Sequence, residues 1–177
     1  MKADRITTPD HPDFGWCIDL YMNSFPYEER RDRQCVESDL ADNRFFFLCF
    51  KEEETGNPVG FFTYWEMGEF LYGEHFAVDP SRRRGGLGAG ILAYVLSIGI
   101  PVILEVEKPD TAIALRRIDF YRRNGFVLNG HLHFQPPYHK DCQPLEMKIM
   151  TYPETFSSEK YEDFKERQLA IVPHFLA

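Results

Sequence analysis

A chain of 177 residues holds one domain with a good core and an appendage, and its apolar and charged fractions of 44% and 27% are those of a globular protein. The formal charge of −8 argues against a general nucleic-acid binder. The four cysteines (Cys17, Cys35, Cys49 and Cys142) show no C-x-x-C pair and no Cys/His metal spacing. They read as reduced thiols of a cytoplasmic protein, and no signal-peptide pattern opens the chain.

Met1 to Thr8 predicts a first strand. Asp10-His11-Pro12-Asp13 is a turn, and Trp16, Leu20 and Tyr21 then recur at helical spacing up to Ser24. Ser24-Phe25-Pro26 breaks that helix. A second helix runs to about Asp42, with Cys35, Val36 and Leu40 expected inward. Phe45 to Phe50 and Val59 to Met67 predict a hairpin about the polar turn Glu52 to Pro58. Tyr72 to Val78 predicts a third strand, ending at Asp79-Pro80.

A glycine-rich loop follows. Arg82, Arg83 and Arg84 precede glycines at 85, 86, 88 and 90, and Leu87, Ile91, Tyr94 and Val95 start a helix. Glycines at a helix start let backbone N–H groups approach a ligand, and the unpaired N–H groups and dipole attract phosphate. The arginines add charge and forked donors. From Pro80 to Gly125 there are eight basic and four acidic residues, a local excess of +4 against −12 elsewhere. That pattern suits an anionic cofactor. A dinucleotide fingerprint fails, because Gly86 and Gly88 are followed by Ile91, and no Walker loop is present. The uncharged run from Gly85 to Leu104 approaches the roughly 20 residues of a membrane span. Its five glycines and Pro101 favour a helix followed by a buried strand.

Pro101 to Glu107 predicts that strand, and a strand–helix–strand unit predicts parallel pairing with Tyr72–Val78. Asp110 or Thr111 can cap a helix from about Ala112 to Asn124, which Gly125 stops. Phe126 to Phe134 and Pro144 to Met150 predict closing strands around the loop Gln135 to His139. A charged helix spans about Ser157 to Gln168, anchored by Tyr161 and Phe164, before an apolar tail from Ile171.

Two stretches carry a family resemblance. Arg83-Arg84-Gly85-Gly86-Leu87-Gly88 fits (Gln/Arg)-x-x-Gly-x-(Gly/Ala), and Ile118-Asp119-Phe120-Tyr121-Arg122-Arg123-Asn124-Gly125-Phe126 places Gly-Phe four and five residues after a helix tyrosine. Both resemble the GCN5-related N-acetyltransferases (GNAT). Phe25-Pro26-x-Glu28-Glu29-Arg30-Arg31 is similar to a phrase of one GNAT subgroup, in which the helix pair around it shapes the acceptor side. The resemblance implies an α/β fold, a mixed and mostly antiparallel sheet flanked by helices, over residues 1–153. Residues 154–177 are then a helical extension packed on the domain or on a partner subunit, which leaves a homodimer open.

The resemblance also implies acetyl transfer from acetyl-CoA to a primary amine of a small molecule or peptide, with no metal, nucleic-acid or membrane partner. Its alternative is a non-catalytic acyl-CoA-binding module of the same fold. Phe76, Ala77 and Val78 would present the N–H that polarises the thioester. Arg83, Arg84, Gly85, Gly86, Leu87, Gly88 and Ala89 would wrap the diphosphate, and Arg117 could add a phosphate contact. Tyr121 would serve as acid. The order of candidate bases is Glu74, Glu105, Glu107 and His75. Two-residue alternation puts Glu74 with Phe76 and Val78, Glu105 with Glu107, and His75 on the opposite face to Glu74. The family's asparagine before the tyrosine is Ala114 here. His131, His133 and His139 lack a third ligand at a recognisable metal spacing.

Overall fold

Residues 1–83 and 85–175 are described by a computed structural model. The chain divides into two units, residues 1–66 with 73–99, and residues 67–72 with 100–177.

The first unit is a four-strand meander with helices. Strand β1 (Lys2–Ile6) leads to helices α1 (Phe14–Ser24) and α2 (Arg33–Asp39), then strands β2 (Phe45–Lys51), β3 (Pro58–Glu66) and β4 (Leu71–Val78) and helix α3 (Leu87–Leu96). The order is β1-β2-β3-β4; β2 lies antiparallel to both β1 and β3. Helix α2 stops earlier than its apolar pattern suggested, and Cys35 is exposed while Val36 and Leu40 are buried. A seven-residue helix has only one narrow inward stripe, and Cys35 falls beside it.

The continuous apolar run of β3 has a physical cause. Every residue from Val59 to Trp65 is buried, odd positions included. Phe61 packs against Phe47 and Tyr21 of α1, with centroids 5.2 and 6.0 Å apart. Alternate residues turn the other way; Gly60, for instance, faces Ile91 of α3. A Cβ on Gly60 would lie 2.7 Å from the Ala77 carbonyl oxygen and 2.9 Å from Ile91 Cδ1. The first neighbour is backbone and cannot step aside. Gly60→Val is therefore expected to cost about 1–3 kcal/mol by overpacking, read as a melting temperature lower by roughly 2–12 °C.

In the second unit β4 begins beside Pro101, whose carbonyl accepts the Leu71 N–H at 2.8 Å. Strand β5 (Val102–Glu107) pairs antiparallel with β8 (Leu145–Tyr152), from Val102 opposite Tyr152 to Glu107 opposite Met147. Strands β6 (Val127–Leu128) and β7 (His133–Gln135) also pair with β8. The single strand expected over 126–134 is thus two short ones, broken at Asn129-Gly130. Asn129 turns its amide inward to Thr151 Oγ1 at 2.8 Å and accepts the Phe156 N–H at 2.9 Å. Helix α4 (Ala112–Arg123) buries Ala114, Ile118 and Tyr121, spaced four and three apart, and is capped by the Thr111 hydroxyl. Gly125 follows it at φ +88°. Helix α5 (Ser158–Ile171), capped by Ser157, buries Tyr161, Phe164 and Gln168. All four cysteines are free.

Candidate active site

The glycine loop lies where β4 ends. Asp79 Oδ1 accepts from the Ser81 N–H at 2.9 Å and holds a single 3₁₀ turn over Pro80–Arg82. Arg83 turns back, its Nε 3.3 Å from the Val78 carbonyl, and is exposed. Gly86 sits at φ +76°, a left-handed conformation that a Cβ would strain, and starts α3 without a side-chain cap. Leu87, Gly88 and Ala89 form the first turn of that helix, whose leading N–H groups therefore stay available to an anion. Arg82 is committed elsewhere, to an ion pair with Glu52. The candidate phosphate ligand Arg84 lies outside the described residues.

Upstream on β4, Glu74 and His75 do not alternate. The Thr63 hydroxyl takes the His75 N–H at 3.0 Å and lies 3.4 Å from the His75 carbonyl, standing in for ladder bonds of β3. Locally the period of two lapses, and His75 Nδ1 comes within 3.7 Å of Glu74 Oε2. His75 therefore does not point away from Glu74. The same Glu74 oxygen takes Arg31 Nη2 at 2.8 Å and Trp65 Nε1 at 2.9 Å. Burial alone would raise the Glu74 pKa, but Arg31, His75 and Trp65 together hold it below the carboxylate range. Such a group has little tendency to take up a proton.

Arg31 Nη1 also reaches Asp39 Oδ2, 3.3 Å away. Burial outweighs Arg31 there and pushes Asp39 up to about 6, with Glu74 and Asp42 adding in the same direction. The folded form therefore binds this proton more tightly than the unfolded chain does. Stability falls as pH rises from about 4 to 6, and the cost persists above that. Asp39→Asn should accordingly be the more stable protein at pH 7–8, by up to about 3 kcal/mol, with the gap closing toward pH 4 in denaturant titrations.

The remaining candidates fall in the second unit. Tyr121 is 7% exposed, and its ring packs on Phe120 and Phe126 with centroids 5.3 and 5.4 Å away. Among the described residues nothing hydrogen-bonds its hydroxyl. Burial raises the phenol to about 12, Arg117 working against this and Glu107 with it. Arg117 and Glu107 form an ion pair with each other, so Arg117 is not an idle cation.

Glu105 is bonded at both carboxylate oxygens. Oε1 meets His133 Nε2 and takes Gln168 Nε2 at 2.8 Å; Oε2 takes the Tyr72 hydroxyl at 2.6 Å and Gln135 Nε2 at 2.8 Å. Burial would raise its pKa, but these partners, His133 foremost, hold it down. His133 Nδ1 in turn lies 3.0 Å from the Tyr161 hydroxyl, and His131 stacks flat on the Tyr161 ring. The histidines thus serve carboxylate and aromatic partners. Arg31, Gln135 and Gln168 left little mark in the sequence, and His133 drew notice there only in a metal reading that lacked a third ligand.

The acetyltransferase (GNAT) domain family model matches residues 42–128. A solved structure described as a GNAT-family acetyltransferase from Bacteroides thetaiotaomicron is similar at 32% identity and TM-score 0.90, over 99% of this chain and 100% of that one. The chain belongs to the GNAT acetyltransferase family. Its fold is the GNAT fold, a mixed and mostly antiparallel sheet with five helices. Because the match runs through nearly the whole chain, α5 is shared with that GNAT relative. More remote GNAT folds include the ribosomal-protein-S18-alanine N-acetyltransferase of Escherichia coli (20% identity, TM-score 0.59, over 89% of this chain and 96% of that one). An aminoglycoside 6′-N-acetyltransferase complexed with coenzyme A is similar at 15% identity and TM-score 0.58, over 89% of this chain and all of that one. No curated protein matches in sequence. No helix among the described residues is long and apolar enough to cross a membrane.

Proposed function

We propose that the chain moves an acetyl group from acetyl-CoA directly to a primary amine of a small molecule or peptide. The observation that carries this reading is the uncapped start of α3 behind the left-handed Gly86, at the end of β4. It offers backbone donors to a diphosphate, and the exposed Arg83 adds charge. Phe76 through Val78 lead into that loop and supply the N–H for the thioester carbonyl. Tyr121 has a protonated hydroxyl to offer the leaving sulfur. Glu74 and Glu105 spend lone pairs inside the fold, so we assign them to holding the site in shape, with the ammonium proton passing to solvent. The same saturation favours a second reading, a module that binds acyl-CoA without turning it over.

Thermal unfolding with CoA and acetyl-CoA tests the binding half. Ligand at a hundred times its dissociation constant adds about 2.7 kcal/mol, or roughly 5–11 °C, and Arg83→Ala should shrink the shift. No shift in folded protein sinks both readings. A shift without thiol release across an amine panel leaves the binding module.

A further inference from the structure

One buried residue draws five elements of the first unit together, four through its side chain and one through its backbone. Arg31 lies in the connection 25–32 between α1 and α2, and its side chain is 2% exposed. Its N–H donates to the Tyr21 hydroxyl of α1 at 2.8 Å. Its guanidinium bridges Asp39 of α2 and Glu74 of β4, at 3.3 and 2.8 Å. It also lies 5.4 Å from the Phe45 ring centre of β2 and 5.5 Å from that of Trp65 in β3. A second tie lies beside it: His75 Nε2 meets the Glu29 carbonyl at 2.8 Å, and the rings of Phe25 and Tyr21 stand edge-on to His75 at 4.8 and 4.7 Å. The connection is therefore pinned to two neighbouring β4 residues that the Thr63 irregularity turns to one side.

Such an arrangement is costly. An arginine placed between two carboxylates in a nearly dry interior gives up hydration that apolar packing would not require. What it supplies is fixed geometry, through a planar fork that a lysine cannot reproduce. The part it fixes carries the exposed Tyr27 and half-buried Phe25.

We propose that Arg31 is a positioning residue for acetyl transfer: through Glu74, and with the His75–Glu29 tie, it sets the α1–α2 connection against β4 as a rigid wall for the incoming amine. This rests on the transferase reading. With the diphosphate held at the C-terminal end of β4, the thioester meets its acceptor further back along that strand, where the connection is pinned. The wall is aromatic and preorganised, which suits an amine presented on an apolar or ring-bearing body.

The test uses the full chain with acetyl-CoA and three probes: spermidine, tobramycin and an alanine-headed hexapeptide. Thiol release gives kcat and KM for whichever probe is acetylated; calorimetry gives acetyl-CoA affinity. Arg31→Lys keeps the charge and loses the fork. Glu74→Gln keeps the shape and an acceptor for Trp65, and stands in should Arg31→Lys fail to fold. Either is expected to lower kcat/KM for the acceptor by up to about 10²-fold, chiefly through KM, with acetyl-CoA affinity unchanged. Wild-type acceptor kinetics in a folded Glu74→Gln overturn the role. So does a parallel loss of acetyl-CoA affinity, which marks general damage. If the wild type acetylates none of the probes, the transferase reading itself fails and takes this role with it.

Discussion

Tyr121→Phe is expected to bind acetyl-CoA as the wild type does and to transfer its acetyl group about 10²–10⁴ times more slowly. The expectation comes from what the hydroxyl does not do. The ring is fixed by Phe120 and Phe126, and among the described residues nothing hydrogen-bonds its oxygen. Phenylalanine therefore keeps the packing and strands no buried partner, so the melting temperature should hold within a few degrees. Burial keeps the phenol protonated through neutral pH, as a donor to charge building on sulfur must be. A pKa near 12 lies above that of a thiol, which makes hydrogen bonding during C–S cleavage the larger part of its work. Single-turnover kinetics beside calorimetric affinity decide the matter. A variant at wild-type rate removes Tyr121 from the chemistry. Lost binding together with lost turnover shows that the ring, not the hydroxyl, mattered.

The parts legible in the sequence were those set by local chemistry. The loop from Arg83 to Gly88 was readable because a positive φ, here at Gly86, needs glycine, and a ligand approaching backbone needs the absence of side chains. The Thr111 cap, the Gly125 stop and the Ala114–Ile118–Tyr121 stripe of α4 are local in the same sense. What alternation could not reveal is the irregularity at His75, which depends on a hydroxyl twelve residues away on another strand. The partners of the carboxylates were hidden for a related reason. Arg31 is 43 residues from Glu74, and Gln168 is 63 from Glu105. A charge in a strand announces that it must be satisfied, without saying by what. Glu74 and Glu105 thus stood out as candidate bases for the property, charge amid apolar residues, that also makes them anchors.

Glu105→Ala should be the most damaging substitution to stability in the second unit. It removes a carboxylate that takes Tyr72, Gln135 and Gln168 and faces His133, leaving buried donors around a void. Breaking a buried, charge-assisted cluster of this kind costs about 3–5 kcal/mol, or a melting temperature lower by roughly 6–20 °C. The sign with pH follows from the depressed Glu105 pKa. Its contribution is present above the ordinary glutamate value and is lost as pH falls through the folded one, so wild type and variant should converge in acid. Glu105→Gln separates charge from hydrogen bonding. One end of the amide becomes a donor facing Tyr72 and Gln135. The Tyr72 hydroxyl can rotate to accept it, and Gln135 has a buried Oε1 without a hydrogen-bond partner that an amide flip would bring round. That variant should lose only about 1–2 kcal/mol. Because Gln168 and, through His133, Tyr161 reach this cluster from α5, hydrogen exchange in Glu105→Ala should speed up over residues 158–171 ahead of β5 and β8. An alanine variant melting within a degree of the wild type, with α5 still protected, would show that aromatic packing of Tyr161 and Phe164 alone holds the helix and that the carboxylate is not its anchor.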